Sequence, residues 1–359
     1  MKKNIALILA FVIFALLFAL SGCSEKTETE TEKGLDYYYY IYRNYERYPA
    51  TLMKYNLETC EETPLCPDPL CMHDSMDCPF CGVSNCFVDG YNVYYIRTSD
   101  MPEFASDGVA YLTESVCVFD YKNNKARELC SFKSDNKSSS QCDVVYYDGY
   151  VYFYRQTPDP DVVEYTLWRV NANGGKEENM GLSLPTWGSL HYGDRMITSD
   201  INTIYTSDMH GGERKVLITL DKAGSITLWN CTAEGILTYT IDYGDVSELW
   251  EMNIENGKSK KLRATSDGII KDICCFDDYV YFTVIAWKNS VDPNSAERAV
   301  DRYGNTAYKV THNGKCTEHY TETNAVISNM KRCGNKIMMF TVRLGEDGKA
   351  VREKHPIEK

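Results

Sequence analysis

The chain has 359 residues and a formal net charge of −13, with 51 acidic against 38 basic side chains. Apolar residues make up 43% of it and charged residues 25%, which are ordinary values for a globular protein. The acidity argues against a nucleic-acid-binding surface, which needs clustered positive charge. The sequence therefore predicts no nucleic-acid partner, and its length suits one large domain or two small ones.

The beginning of the chain has the pattern of a bacterial signal peptide. Two lysines precede an apolar run of sixteen residues from Ile5 to Leu20. That run is shorter than the roughly 20 apolar residues that a membrane-spanning helix needs. The sequence Leu-Ser-Gly-Cys ending at Cys23 follows, and it resembles the lipobox of bacterial lipoproteins. We therefore expect residues 1–22 to be an export signal that is cleaved after Gly22.

The lipobox resemblance implies that Cys23 carries a diacylglyceryl thioether and holds the protein on the outer face of the bacterial cytoplasmic membrane. Two acyl chains suffice for stable anchoring. The alternative is ordinary secretion, with Cys23 a free thiol. Residues 24–33 contain only Ser, Glu, Lys and Thr, so residues 23–34 are predicted to be a flexible tether. Without the two lysines of the leader the net charge changes from −13 to −15, and residues 35–359 are predicted to form the extracytoplasmic domain.

Residues 35–359 repeat one pattern, which is a short apolar strand, a tight turn and a Tyr-rich alternating strand. Clear copies turn at Asp89-Gly90 and at Asp148-Gly149. Weaker copies turn at Gly193-Asp194, Glu234-Gly235, Asp277-Asp278 and Gly334-Asn335. The turns recur every 40 to 59 residues, and a second hairpin follows most of them. Four antiparallel strands per repeat at this spacing predict an all-β fold, a β-propeller.

The number of Tyr-rich strands predicts seven blades, with six as the alternative because the first and last copies are incomplete. A single blade shared by the two ends of the chain would account for this. The pattern resembles extracellular propeller domains of the TolB or low-density-lipoprotein-receptor kind. Together with the lipobox, it resembles the surface lipoproteins of Gram-positive-type bacteria.

The longest connections are predicted to leave one face of the propeller. They are residues 66–84, 97–114, 155–164 and 287–305. Long loops on a rigid scaffold are common binding sites. Their aromatic side chains can stack on sugar rings or anchor a protein partner. The candidates are Phe104, Tyr111, Tyr165 and Trp287.

The first of these connections contains a dense group of cysteines. Cys66, Cys71, His73 and Cys78 place three thiols and one imidazole within thirteen residues, a set that can close a tetrahedral zinc or iron site. The alternatives are free thiols or a disulfide staple, since exported proteins are commonly oxidised. The staple would pair Cys66, Cys71, Cys78 and Cys81, with Cys60 as a further partner. Similar blocks occur in lipoproteins of anaerobic Gram-positive bacteria, and that resemblance implies no known chemistry.

Familiar catalytic motifs are missing from the sequence. It contains no Gly-x-Ser-x-Gly elbow, phosphate-binding loop, dinucleotide fingerprint or His-Glu-x-x-His. The sequence therefore predicts a lipoprotein that is not an enzyme and that binds an unknown protein or glycan ligand through its long loops. Two alternatives stay open, a propeller-type polysaccharide lyase or hydrolase and a structural subunit of a cell-envelope complex, because a fold alone does not choose among functions.

Overall fold

A computed structural model describes residues 37–44, 47–59, 61–98, 103–104, 110–135, 144–156, 165–184, 189–210, 212–286, 303–322, 325–333, 336–345 and 350–358. These residues form 27 β-strands in seven antiparallel sheets. No helix in these ranges is long and apolar enough to cross a membrane. The predicted signal peptide, Cys23 and the tether lie outside the described residues.

The strands follow one another around the propeller, and the seven sheets are numbered as blades 1 to 7. In chain order they are, for blade 1, β1 (Tyr37–Asn44), β2 (Arg47–Asn56) and β3 (Glu62–Pro64); for blade 2, β4 (Val83–Asp89), β5 (Asn92–Thr98), β6 (Glu103–Phe104), β7 (Ala110–Asp120) and β8 (Lys125–Asp135); for blade 3, β9 (Val144–Tyr147), β10 (Tyr150–Gln156), β11 (Tyr165–Asn171) and β12 (Glu178–Leu184); for blade 4, β13 (Ser189–Tyr192), β14 (Arg195–Ser199), β15 (Thr203–Asp208) and β16 (Lys215–Thr219); for blade 5, β17 (Ser225–Cys231), β18 (Ile236–Asp242), β19 (Ser247–Asn253) and β20 (Ser259–Thr265); for blade 6, β21 (Gly268–Cys275), β22 (Tyr279–Ala286), β23 (Tyr303–Thr311) and β24 (Cys316–Thr321); and for blade 7, β25 (Val326–Cys333), β26 (Lys336–Leu344) and β27 (Ala350–Glu358).

The sheets have the architecture that the repeats predict. Each blade is a meander of consecutive strands, and the short β6 extends the hairpin between β5 and β7. The first strands of neighbouring blades contact one another, as in β4 with β9 and β13 with β17, so these strands are the innermost ones. The all-β propeller with seven blades is therefore confirmed.

The turn between β9 and β10 shows why the repeat has its sequence. Asp148 has a φ of 45° and Gly149 a φ of 78°. Two residues with positive φ give the turn whose twist matches that of the flanking strands, and Asp-Gly is a favoured sequence for it. The turn fixes the register so that Val151 and Phe153 are completely buried.

The core lies between the blades. Large side chains interdigitate across each interface, as where Tyr94 stacks on Tyr146 with ring centroids 5.0 Å apart and Phe132 on Phe153 at 5.4 Å. Burial of such rings contributes about 1.5–3 kcal/mol for each side chain. The apolar clusters link each blade to the next around the ring. A blade is therefore stabilised mainly by its neighbours.

The ring closes differently from the shared blade that the sequence suggested. Among the described residues, no sheet combines strands from both ends of the chain. Blades 1 and 7 instead meet through side chains, with Tyr55 and Leu57 packed against Met338. The ammonium group of Lys336 donates to the carbonyl oxygen of Leu57 at 3.2 Å. The shared blade is therefore wrong for this part of the chain.

Candidate functional site

Residues 65–82 connect blade 1 to blade 2 and contain the predicted cysteine cluster; we call them the 65–82 segment. Both ends of the segment are held by Leu52 of β2, whose carbonyl accepts from the amide of Leu65 and whose amide donates to the carbonyl of Phe80, each at 2.9 Å. The ring of Phe80 is 1% exposed and contacts Tyr95 and Phe119 in blade 2. The segment is therefore anchored at both ends in the interface between the first two blades.

The four predicted ligands come together. The ligating atoms of Cys66, Cys71, His73 and Cys78 all lie within 4.8 Å of one another. The Sγ atom of Cys78 lies 3.6 Å from Nδ1 of His73, and His73 has a left-handed backbone with a φ of 54°. Cys78 is buried, and the other three residues are half-buried. This cluster can hold a metal ion.

The disulfide alternative is not formed in the part of the chain that the structure describes. Cys66, Cys71, Cys78 and Cys81 are all free thiols. Cys60 lies outside the described residues. Cys81 is completely buried next to the cluster, and its Sγ atom lies 3.7 Å from the hydroxyl of Thr51.

Burial controls how these thiols ionise. It raises the pKa of Cys66 to about 12. A hydrogen bond to Cys81 raises the pKa of Cys78, and burial adds to this effect. The same hydrogen bond lowers the pKa of Cys81. Without a metal, Cys66 and Cys78 hold their protons at neutral pH, so a metal ion must displace them on binding.

The cluster borders a depression of about 570 Å³. The 65–82 segment forms one side of it, and the turn between β7 and β8 forms the other with Asn124, Lys125 and Ala126. That turn lies at the opposite end of blade 2 from the connection between β5 and β7. The segment itself enters blade 2 at the end of the β5–β7 connection, as predicted, since the amide of Thr98 donates to the carbonyl of Gly82 at 2.9 Å and Arg97 donates to the carbonyl of Met76 at 2.5 Å. The depression beside the cluster instead extends towards the other end of the blade.

The predicted loop aromatics do not form one site in the described structure. Phe104 lies in β6 and Tyr111 in β7, on the same hairpin extension of blade 2. Tyr165 lies in β11 of blade 3, where it packs against the apolar core. Trp287 lies outside the described residues. Their role in binding stays a prediction.

Sequence reasoning missed a second set of polar residues, which we call the Asp–Lys–Asp group and which consists of Asp242, Lys271 and Asp272. Asp272 lies on the innermost strand of blade 6 with a φ of 54°, where a bulge shifts the register after Lys271. Its carboxylate accepts a hydrogen bond from the hydroxyl of Thr283 at 2.8 Å. Bulges of this kind are frequent beside active sites, where they redirect a side chain.

Asp242 is the last residue of the second strand of blade 5, and hydrogen bonds through Ser247 connect it to blade 6. The hydroxyl of Ser247 donates to the carboxylate of Asp242 and accepts from the backbone amide of Ile270 at 3.0 Å. Burial raises the pKa of Asp242 and of Asp272, while the positive charge of Lys271 acts on both carboxyl groups in the opposite direction. One lysine thus lies near two carboxyl groups that hold protons more tightly than usual.

Three further polar atoms on innermost strands make no hydrogen bond within the described residues. They are Oγ of Ser189 and Nδ1 of His191 in blade 4 and Oδ1 of Asn329 in blade 7, and all three atoms are buried. Burial lowers the pKa of His191 to about 4, so the imidazole is neutral at physiological pH. An unsatisfied buried polar atom costs about 1–3 kcal/mol. The sequence signal for these positions is a polar residue that interrupts an apolar inner strand.

No protein-family model matches this chain, and no curated protein matches it in sequence. Solved structures do match in fold. An oligogalacturonate lyase in complex with manganese is 10% identical, with a TM-score of 0.58 over 91% of this chain and 87% of its own. An oligogalacturonate lyase from Vibrio parahaemolyticus is 8% identical, with a TM-score of 0.60 over 92% and 88%. The β-propeller domain of the Trilobed protease from Pyrococcus furiosus, which has an open velcro topology, is 10% identical, with a TM-score of 0.52 over 90% and 94%.

The acylaminoacyl peptidase of Pyrococcus horikoshii is 13% identical, with a TM-score of 0.54, and this chain spans about half of its length. These likenesses show the propeller fold. They also overturn the prediction that the chain is not an enzyme, because that prediction rested on missing motifs, and the proteins that contain propellers of this shape include lyases and a peptidase. They do not assign manganese to the cysteine cluster, since manganese prefers oxygen ligands to thiolates.

Proposed function

We propose that this protein is a propeller enzyme that cleaves acidic polysaccharide, by elimination or by hydrolysis, at the Asp–Lys–Asp group. The observation that carries the proposal is the placement of Lys271 near both Asp242 and Asp272 at the junction of blades 5 and 6. The fold likeness to oligogalacturonate lyases suggests the class of substrate.

The chemistry needs one group that accepts a proton and one that donates it. In elimination from a uronate unit, a base removes the proton next to the carboxylate. The glycosidic C–O bond then breaks as a C=C bond forms, and an acid protonates the departing oxygen. Asp272, which burial keeps protonated more readily than usual, is suited to donate. Asp242, which accepts a hydrogen bond from Ser247, is suited to accept.

The lysine supplies the charge that such a substrate requires. Lys271 is exposed, as is Lys331 on the inner strand of blade 7, and Lys331 also acts on Asp272. A uronate carboxylate near these ammonium groups would be neutralised, which makes the neighbouring proton easier to remove. In hydrolysis, the same two carboxyl groups would serve as acid and base.

The test is turnover on a panel of uronate-containing and neutral glycans. Elimination produces an unsaturated sugar with ultraviolet absorbance, whereas hydrolysis produces reducing ends without it. We expect Asp242→Asn and Asp272→Asn each to lower kcat by at least about 100-fold, the scale of a lost general acid or base. Asp245→Asn, at an exposed position nearby, is the matched control. No turnover on any glycan, or equal turnover in all three variants, would refute the proposal.

We also propose that the enzyme acts outside the cell as a lipoprotein anchored through Cys23. The support is the charged start, the short apolar run and the lipobox-like sequence of residues 1–23. We expect the protein to incorporate labelled fatty acid and to sediment with membranes. Cys23→Ser should abolish both results, while Cys316→Ser, which leaves the lipobox intact, should preserve them. Labelling that persists in Cys23→Ser would contradict the anchor.

A further inference from the structure

We infer that Cys66, Cys71, His73 and Cys78 form a closed tetrahedral zinc site that clamps the 65–82 segment onto the first two blades. This inference is independent of the proposed activity, because the Asp–Lys–Asp group lies in blades 5 and 6.

The geometry of the cluster fits zinc. Zn–S bonds of about 2.3 Å and Zn–N bonds of about 2.05 Å at a tetrahedral angle separate sulfur from nitrogen by about 3.6 Å. The Sγ atom of Cys78 and Nδ1 of His73 are 3.6 Å apart. The same bond lengths separate two sulfurs by about 3.8 Å, and all four ligating atoms lie within 4.8 Å of one another. Small side-chain rotations would therefore complete the site.

In the middle of the segment, residues 67–77, apolar side chains are exposed while the thiol and imidazole groups are partly buried, which is the reverse of what the hydrophobic effect favours. From residue 67 to residue 77, every residue is exposed except Cys71, His73 and Met76. Leu70 is 86% exposed and Met72 is 78% exposed. If apolar burial also held residues 67–77, Leu70 would turn inward, as Leu65 and Phe80 do at the two ends of the segment. The segment instead turns its thiols and imidazole inward, which indicates that a ligand of those groups holds it.

The donor set selects the metal. Three thiolates and an imidazole suit zinc, and four protein ligands leave no open position, as in structural zinc sites. The carboxylates of Asp68 and Asp77, near the cluster, accept hydrogen bonds from within the 65–82 segment. Asp68 accepts from the amide of Leu70 at 2.9 Å, and Asp77 accepts from the hydroxyl of Ser75 at 3.2 Å. Three thiolates with Zn²⁺ leave one negative charge, and Lys125 across the depression can balance it.

The role of the site follows from what it joins. Its first ligand directly follows Leu65 and its last precedes Phe80 by two residues, and Leu52 holds both of these neighbours. A metal that closes this loop reduces the conformational freedom of the segment, which has no strand or helix of its own. Zinc thus holds Phe80 in its buried position between blades 1 and 2.

The test is zinc content and thermal stability of the full chain, produced with added zinc and purified under reducing, oxygen-free conditions. We expect one zinc per chain. Cys71→Ser and His73→Ala should lose it, whereas His73→Cys, which supplies a fourth thiolate, should retain it. Cys316→Ser, a partly buried cysteine outside the cluster, is the control and should also retain it.

A second measurement does not depend on the variants folding. Chelation of zinc from the unaltered protein should lower Tm, and added zinc should restore it. Replacement by Co²⁺ should give a thiolate-to-cobalt charge-transfer band and the strong visible absorption of tetrahedral cobalt. No bound metal, equal metal in Cys71→Ser, iron in place of zinc, or disulfides among the four thiols by intact mass would each overturn the inference. The glycan assays are independent of all these results.

Discussion

Phe80 offers a sharp test of how the 65–82 segment contributes to the fold. Its ring is 1% exposed and lies 5.9 Å from the ring of Tyr95 and 5.1 Å from that of Phe119. Leu70 on the same segment is 86% exposed. Both residues belong to the segment, but only Phe80 is buried in the interface between the blades, so variants of the two residues show the effect of that burial alone.

Phe80→Ala should destabilise the protein by about 3–5 kcal/mol, because it removes a buried ring and leaves a cavity between two blades. Aromatic contacts worth about 0.5–1.5 kcal/mol are lost with it. For a chain of this length, that corresponds to a fall in Tm of roughly 4–7 °C. Leu70→Ala should change the free energy of unfolding by no more than about 0.5 kcal/mol, since the side chain already contacts water.

The assay is thermal unfolding followed by circular dichroism, with both variants saturated with zinc so that the proposed clamp is present in each. Far-ultraviolet spectra at low temperature establish that both variants are folded before heating. Equal shifts in Tm for the two variants, or a shift below about 2 °C for Phe80→Ala, would refute the claim that the segment is part of the core.

Three further outcomes follow from the structure. Met338→Ala should lower the free energy of unfolding, measured in urea, by about 2–5 kcal/mol because Met338 is buried where the ring closes. Glu62→Gln breaks the ion pair with Lys354 at the same junction, and because that pair is partly exposed to solvent it should lower the free energy of unfolding by less than about 1 kcal/mol. Burial raises the pKa of Asp272 above 3.8, so the folded state binds more protons than the unfolded state between 3.8 and that raised pKa, and stability falls as pH rises through this interval. Asp272→Asn should reduce this fall, to which Asp242 also contributes, and an unchanged pH profile would contradict the prediction. His191 has the opposite sign: its pKa is lowered from 6.5 to about 4, so stability falls as pH decreases through that interval, and His191→Gln should flatten the acid limb of the same profile.

The repeats of the sequence determined the fold class because a propeller blade is a local structure. Each hairpin is made by neighbouring residues, so a turn such as Asp148-Gly149 predicts its strands, and the recurrence of such turns predicts the seven blades. The cluster that can hold a metal was also predictable from the sequence, because Cys66, Cys71, His73 and Cys78 lie within one short segment. The pattern of residues 1–23 carries the lipoprotein hypothesis by itself.

Only the tertiary structure decided how the ring closes and where the polar groups meet. Blades 1 and 7 join through Tyr55 and Met338, which are 283 positions apart in the chain, and no local pattern relates them. Asp242 likewise belongs to blade 5 and comes near Lys271 of blade 6 only when the sheets pack, whereas Asp272 is the neighbour of Lys271 in the chain. Missing motifs do not exclude catalysis, because catalytic groups can assemble from separate strands. Local periodicity therefore specifies the blades, whereas the packing between blades specifies the candidate site.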